Sequence, residues 1–169
     1  MKRTSSQPTT SATPAKKIPT SNDTDGFTTD SIPQHHYHLG EDNYAVVSDV
    51  INVHIRKYKT YDNRRILPTK KGVSFLAFVW ESLSKEIRRL PLLSDSEQVA
   101  VIRDTLFLKG DWTENVPHIS LQRSVTKKHF SRQFLPYLCL LTDREWDRLH
   151  CIRKKITESC KSLMFGDFF

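Results

Sequence analysis

The 169-residue chain has only three cysteines, Cys139, Cys151 and Cys160, and no C-x-x-C pair. A disulfide framework and a structural zinc site are therefore not expected. No stretch approaches the roughly 20 apolar residues of a membrane helix. The residues after Lys2-Arg3 lack the apolar core of a secretory signal. These absences predict a soluble protein in a reducing compartment.

Catalytic patterns are missing as well. The sequence contains no G-x-S-x-G, no Walker loop and no paired-carboxylate motif. We therefore expect a protein that is not an enzyme and has no cofactor. His35-His-Tyr-His38 has the composition of a metal site, but no Cys or acid at suitable spacing completes it. We interpret these histidines as polar residues at the start of a domain.

Basic residues are the main feature that is present. Lys and Arg number 26 against 19 Asp and Glu, which gives a net charge of +7 and a pI of about 9.4. This excess predicts an acidic partner such as nucleic acid. Residues 54–72 contain seven Lys or Arg residues and a single acidic residue, Asp62, so the positive excess is concentrated in this segment.

Residues 1–34 are rich in Ser, Thr and Pro, and almost free of large apolar side chains. Such a segment buries too little surface to balance its chain entropy, so we predict a disordered tail. Lys2-Arg3 and Lys16-Lys17 fit a two-part nuclear import signal, or simply two solvated basic pairs. The predicted localisation is nuclear.

Residues 35–91 predict strands followed by one helix. Val53 and Ile55 alternate with His54, Arg56 and Tyr58, as in a strand with one buried face. Asp62-Asn63 and Pro68 predict a long loop before a strand at Gly72-Val-Ser-Phe-Leu76. The stripe of Trp80, Leu83, Ile87 and Leu90 predicts a helix that Pro91 ends.

Residues 95–162 repeat this order, with a turn predicted at Gly110-Asp111 and a capping box at Thr142-Asp-Arg-Glu145. Trp146, Leu149, Ile152 and Ile156 form the second helical stripe. Aligning the Trp80 and Trp146 segments gives an offset of 66 residues, which we interpret as a diverged internal repeat. Residues 94–103 fit either a capped helix or the repeat's first strand, and the repeat favours the strand.

Lys70-Lys-Gly-Val-Ser-Phe followed by Trp80 resembles the signature of the positive cofactor four family of transcriptional coactivators. Tyr37-His-Leu-Gly40, Tyr44-Ala-Val-Val47 and Val53-His-Ile-Arg-Lys-Tyr58 are similar to that family's first three strands. The resemblance covers residues 36–90.

The resemblance implies an α+β fold of ββββα units, each a curved antiparallel sheet followed by one helix. Two tandem units imply that one chain supplies both halves of the family's dimer, as a monomeric pseudo-dimer, and a homodimer is the alternative. It also implies binding of single-stranded or unwound DNA with little sequence preference, in transcription, replication or repair. RNA binding uses the same physics and stays open. Transcription or replication proteins are the implied protein partners.

Basic and aromatic side chains together suit unpaired nucleic acid, because cations neutralise phosphates and aromatic rings stack on bases. The predicted nucleic-acid-binding residues of the first unit are Arg56, Lys57, Tyr58, Lys59, Tyr61, Arg64, Arg65, Lys70 and Lys71. Those of the second unit are Arg123, Lys127, Lys128 and Arg132. Tyr137-Leu138 stand where the first unit has Lys71-Gly72, so the second copy is expected to keep the fold and lose much of the binding.

The C-terminal residues 163–169 are aromatic, which is unusual at a chain end. Phe165, Gly166, Asp167 and Phe168 resemble a short motif that binds the NTF2-like domain of a stress-granule scaffold. The alternative interpretation of the segment is that its aromatics fold back onto the core. The motif supports a second hypothesis for the whole chain. In this hypothesis the protein is a protein-interaction adaptor, of the kind that viral accessory proteins can be, and the duplicated fold is its scaffold.

Overall fold

The computed structural model describes residues 26–87 and 99–166. The first unit is an antiparallel five-stranded sheet, sheet A, in the order β1-β5-β4-β3-β2, followed by a helix. Its elements are β1 (Phe27–Thr28), β2 (His36–Gly40), β3 (Asn43–Val47), β4 (Asn52–Thr60), β5 (Arg65–Leu76) and α1 (Ala77–Glu86).

The second unit is an antiparallel four-stranded sheet, sheet B, in the order β6-β7-β8-β9, followed by two helices. Its elements are β6 (Val99–Ile102), β7 (Leu106–Thr113), β8 (Val116–Thr126), a 3-10 turn (Lys128–Phe130), β9 (Arg132–Thr142), α2 (Asp143–Cys151) and α3 (Arg153–Phe165). The predicted α+β class with two sheet-and-helix units is confirmed. No helix of 26–87 or 99–166 is long and apolar enough to cross a membrane.

The alternation predicted for β4 is observed. Val53 and Ile55 are fully buried, whereas His54 and Arg56 lie on the opposite, outer face of sheet A. Burying an aliphatic side chain of this size stabilises the fold by about 1.5–3 kcal/mol. The core face of the sheet is therefore fixed by these two residues, and the polar side chains are left on the outer face.

The two units share a pairing register at the 66-residue offset. Ile55 pairs with Val73 in sheet A, and Leu121 pairs with Cys139 in sheet B. Each sheet also has a bulge at the same place, after Arg56 in β4 and after Gln122 in β8. A bulge re-aims the side chains beside it. The repeat therefore extends from the hydrophobic pattern to the irregularities of the strands.

The units pack into one hydrophobic core that contains both tryptophans, Trp80 and Trp146. Helices α1 and α3 are in contact, and the indole Nε1 of Trp80 donates to Thr157 Oγ1 at 3.0 Å. Helices α2 and α3 of the second unit also pack on β2 and β3 of the first. This arrangement is the intramolecular pseudo-dimer expected from the sequence.

A buried polar link joins the units as well. Glu145 is buried, and its carboxylate accepts from the side-chain amide of Asn43 at 3.0 and 3.1 Å. Glu145 also completes the predicted capping box with Thr142 at the start of α2. A buried carboxylate needs such partners, because desolvation without them is costly. The link therefore fixes how the second unit sits on the first.

The long loop predicted between β4 and β5 is wrong. The connection is the turn 61–64, and β5 already begins at Arg65. Pro68 lies inside β5, where it pairs with Tyr58 beside the bulge. Proline is tolerated there because β1 pairs only with Arg65 and Ile66, so among the described residues β5 is an edge strand beyond them.

The turn predicted at Gly110-Asp111 is also wrong, because both residues lie within β7. The turn is formed by Glu114 and Asn115, which both have positive φ angles of 52° and 64°. Asn suits such a two-residue hairpin turn. For 94–103, residues Val99–Ile102 form a strand, as the repeat favours. Residues 88–98, including Leu90 and Pro91, lie outside the described part.

The predicted disordered tail is too long. Phe27 and Thr28 pair with β5, and Phe27 is only 4% exposed because it packs in a cluster with Tyr44, Val46, Tyr58 and Ile66. A single large aromatic residue in a polar segment is enough to add this strand. Residues 1–25, with both basic pairs, lie outside the described part.

The second helical stripe is buried, but it runs over two helices. Trp146 and Leu149 lie on α2, Ile156 lies on α3, and Ile152 joins them with non-helical angles of φ −100° and ψ 8°. All four side chains are buried although the helix is interrupted at Ile152.

A candidate nucleic-acid interface

The structure separates the predicted binding residues onto different surfaces. Some of these residues lie close together and line two cavities of about 500 and 170 Å³. The two cavities share Arg56, Lys70 and Ser74 as lining residues. We call their union the basic groove. It is lined by His54, Arg56, Tyr61, Leu67, Pro68, Thr69, Lys70, Gly72, Val73, Ser74, Arg123, Leu135 and Tyr137. No Asp or Glu is among these lining residues of the described chain.

The groove runs along the outer face of sheet A to the junction of the units, where the edge strands β5 and β9 lie against each other. Arg56 is held at its centre. Its Nη1 donates to the carbonyl of Thr69 at 2.9 Å and its Nη2 to Ser74 Oγ at 3.3 Å. A guanidinium has five N–H donors, so donors remain for a ligand.

Gly72 makes this position of Arg56 possible. A Cβ on residue 72 would lie 2.7 Å from both Cβ and Cγ of Arg56 and 2.9 Å from its Cα. The strands therefore approach too closely at this point for any other residue. Glycine is therefore required at this position of the family-like motif for a steric reason, because the side chain of Arg56 lies directly against the backbone of β5.

The second unit contributes Arg123 from the bulge of β8. Its Nη1 donates to the carbonyl of Ser74 at 3.0 Å, across the boundary between the units. Its Nε is buried without a hydrogen-bond partner among the described residues. Arg56, Lys70 and Arg123 thus bring three cations around Ser74.

Tyr58 does not offer a stacking surface. It is 2% exposed and packs against Tyr44 and Phe27, with ring centroids 5.0 and 5.6 Å away. The alternation placed it correctly on the outer face, but β1 covers that part of the sheet. The prediction that Tyr58 stacks on a base is therefore wrong. The error arose because Phe27, which covers Tyr58, was assigned to the disordered tail.

Two other tyrosines are half exposed in the groove. Tyr61 is 46% exposed, and the Nζ of Lys59 lies 5.2 Å from its ring centroid. Tyr137 is 47% exposed at the junction of the units. A tyrosine ring with one free face can stack on an unpaired base. The groove therefore combines three cations with two half-exposed aromatic rings.

Arg64 and Arg65 do not curl over the groove, because the loop that would carry them is a tight turn. Arg64 has a positive φ of 66° and pairs with Asp30 at 3.5 Å, with both side chains largely exposed. Such exposed pairs contribute little stability. Arg65 pairs with Thr28 of β1, and neither arginine lines the groove.

Lys57 and Lys71 line a different cavity of about 520 Å³, which we call the inter-unit cleft. Lys57 lies in the bulge of β4, and Lys71 follows Lys70 on β5. Successive side chains of a strand point to opposite faces, so Lys70 and Lys71 serve different cavities. The prediction of one continuous basic patch over 54–72 is corrected accordingly.

The second copy has the groove's framework without its cations. Gln122 takes the place of Arg56, and its Nε2 donates to the carbonyl of Leu135 at 2.9 Å, just as Arg56 donates to Thr69. Leu138 takes the place of Gly72. The second copy keeps the fold, as expected, and its loss of much of the binding stays a prediction.

The remaining basic residues of the second unit lie away from the groove. Lys127 and Lys128 are exposed beyond the end of β8. Arg132 pairs with Asp104, and its guanidinium carbon lies 4.8 Å from the ring centroid of Phe107. Arg132 is therefore engaged within its own unit.

The sequence interpretation missed Tyr137, His54 and Ser74 as groove residues. His54 Nδ1 lies 2.6 Å from Ser74 Oγ, so the two side chains help to hold the wall beside Arg56. Their place on the outer face follows from strand alternation, which could have identified them. Tyr137 could not be found this way, since its position depends on how β9 meets β5.

His35 and Cys139 make contacts within the fold. His35 Nδ1 and the Tyr37 hydroxyl both lie within hydrogen-bond distance of the buried Ser159 Oγ. Cys139 is fully buried, as expected for a core residue, and burial raises its pKa, helped by the negative charge of Glu145 and opposed by Arg56. No cluster able to hold a metal ion occurs within the described ranges.

The C-terminal motif begins on an exposed helix end. Met164 and Phe165 are 48% and 56% exposed, and Gly166 ends α3 with a φ of 74°. These two side chains do not fold back onto the core. Asp167 and Phe168 lie outside the described residues.

Comparisons of the chain with protein-family models, curated proteins and solved structures find no match. The fold by itself defines the class, which is a two-unit α+β pseudo-dimer with a basic groove.

Proposed function

We propose that this protein binds single-stranded nucleic acid in the basic groove, as a non-enzymatic factor of the coactivator type. The observation that carries the proposal is the convergence of Arg56, Lys70 and Arg123 between two half-exposed tyrosines, in a lining without carboxylates. Single-strand binding without base readout needs this combination of cations and aromatic faces.

The two tyrosines support binding of unpaired strands. The bases of a duplex are already stacked on each other, so Tyr61 and Tyr137 gain contacts only with unpaired bases. Arg56 and Arg123, one from each unit, both donate to Ser74. The groove needs both units, which explains why two copies in one chain would act together.

The resemblance to the positive cofactor four family supports a role in transcription, replication or repair, and a nuclear location. The match at Lys70-Lys-Gly-Val-Ser-Phe gains a physical meaning, because Lys70 lines the groove and Gly72 admits Arg56. DNA is the proposed ligand on the strength of that resemblance. RNA offers the same phosphates and bases.

The test is binding to a fluorescently labelled dT20 strand, measured by anisotropy over a range of salt concentrations. Each phosphate contact to a single strand contributes about −0.7 to the slope of log K against log salt. Three groove cations therefore predict a slope of about −2, and Lys70→Ala should make it shallower by about 0.7.

Lys154→Ala is the matched control, because Lys154 is an exposed lysine on α3 that lines neither cavity. It should leave the slope nearly unchanged. Absence of binding at low salt, or equal slopes for the Lys70 and Lys154 variants, would contradict the proposal.

A second candidate function is a protein-interaction adaptor. The observation in its favour is the exposure of Met164 and Phe165 at the end of α3, where apolar side chains face solvent. Such a patch suits docking of a partner domain, including the stress-granule scaffold domain that the motif resembles. Phe165→Ala should abolish capture of that isolated domain and leave dT20 binding intact.

A further inference from the structure

The inter-unit cleft lies next to the basic groove but has a different chemistry. Tyr137 lines both, and the neighbouring residues Lys70 and Lys71 line one each. We propose that the cleft receives one nucleobase of the strand bound in the groove, and that it prefers guanine. This inference rests on the proposed function and adds a base preference at one nucleotide.

The charges of the cleft disfavour a phosphate. Glu41, Asp42 and Glu114 line it and are exposed. In the described chain they form no ion pair, and neither do Lys57 and Lys71. With Glu145 the cleft has four carboxylates against the two ammonium groups of Lys57 and Lys71, so a phosphate would be repelled on balance, whereas an uncharged polar base would not.

The mixture of carboxylates and ammonium groups fits guanine best. Guanine presents N1–H and N2–H₂ as adjacent donors, which suit a carboxylate, and O6 and N7 as acceptors, which suit a lysine. Thymine keeps a donor at N3–H but has a carbonyl oxygen where guanine has N2–H₂, and a carboxylate would repel that oxygen. Adenine has an acceptor at N1, and cytosine has one at N3, so each loses part of the donor pair.

The size and walls of the cleft are suitable for a base. Its volume of about 520 Å³ falls within the range of small-ligand sites. The half-exposed ring of Tyr137 supplies a stacking face. The buried Glu145 lines the cleft with its carboxylate already satisfied by Asn43 and Thr142, so this wall is rigid before a ligand arrives.

The experiment compares four labelled strands in anisotropy titrations of the full chain. One is dT20, and the others carry a single central dG, dA or dC in the same strand, which avoids guanine quadruplexes. We expect the dG strand to bind about tenfold more tightly than dT20, as one well-placed bidentate contact provides. Equal affinities, or a preference for dA or dC, would overturn the inference.

Two adjacent lysines provide matched variants. Lys71→Ala should bring the ratio of the dG and dT20 affinities close to one. Lys70→Ala should weaken both strands by the same factor and keep the ratio. If Lys71→Ala retains the full ratio, the cleft is not the source of the preference.

This design separates the inference from the proposal beneath it. If dT20 itself does not bind, the proposed function fails and the inference falls with it. If dT20 binds with the expected salt dependence but the four strands are equal, only the cleft proposal fails. Both lysines are exposed, so neither variant is expected to disturb folding.

Discussion

The close approach of β4 and β5 at Gly72 yields a quantitative prediction for Gly72→Ala. The added methyl group would lie 2.7 Å from two carbons of Arg56, which is below any normal carbon–carbon contact. Two of its neighbours are Cα and Cβ, so a change of side-chain rotamer cannot relieve the clash. The strands must separate or the bulge must shift.

The expected cost is that of overpacking, about 1–3 kcal/mol in the free energy of unfolding. Domains of this size have a total stability of about 5–15 kcal/mol, so the variant should still fold. Displacement of Arg56 should also remove one cation from the groove. The salt slope for dT20 should then become shallower by about 0.7.

Urea denaturation followed by circular dichroism measures the first effect, and salt-titrated anisotropy measures the second. Lys70→Ala is the control, because it removes a groove cation from an exposed position and should leave the stability nearly unchanged. If Gly72→Ala has the stability and salt slope of the unmodified chain, then the reasoning about Arg56 and β5 is refuted.

The remaining predictions concern the groove, the core and the thiols. Tyr61→Ala should weaken dT20 binding by about 1–3 kcal/mol with unchanged stability, because in the proposed complex its half-exposed ring stacks on a base; unchanged affinity would contradict this. Asn43→Ala should destabilise the fold by about 1–3 kcal/mol in urea denaturation, because it leaves the buried Glu145 short of donors; a neutral effect would contradict the inter-unit link. Stability should fall as pH rises above about 9, because burial raises the pKa of Cys139 and the unfolded chain releases that proton first; a flat profile in urea denaturation over this pH range would contradict it. In the native protein, the exposed Cys151 should react rapidly with a thiol reagent such as DTNB while Cys139 stays protected.

Much of the fold followed from hydrophobic periodicity. The alternation of Val53 and Ile55 in β4 and the helical stripe through Trp146 identified buried faces that the structure confirms. These patterns are local, because one face of an element has to be buried whatever its neighbours are. The 66-residue repeat was also visible, since both units need the same faces buried.

The errors came from features that depend on neighbouring strands. Pro68 was interpreted as a loop residue, but an edge position beside a bulge accepts it. Gly110 was interpreted as a turn, but the positive φ angles occur at Glu114 and Asn115. Phe27 was assigned to the tail, although one aromatic side chain was enough to add a strand to sheet A.

The candidate site was predictable in composition and not in layout. The sequence located the basic segment, but Lys70 and Lys71 lie in β5 and not in a loop, so strand alternation places Lys71 in a separate cleft with Lys57. The contributions of Arg123 and Tyr137 depend on how the second unit packs against β5. That packing is fixed by distant contacts such as the one between Asn43 and Glu145, which no local pattern reveals.

The most direct test of the central claim is ultraviolet crosslinking of the full chain to dT20, followed by identification of the modified residues by mass spectrometry. Binding in the basic groove predicts crosslinks at Tyr61 and Tyr137, the two aromatic rings that face it. Crosslinks confined to the exposed Lys127 and Lys128, or to Phe165 at the end of α3, would place the strand elsewhere and contradict the account.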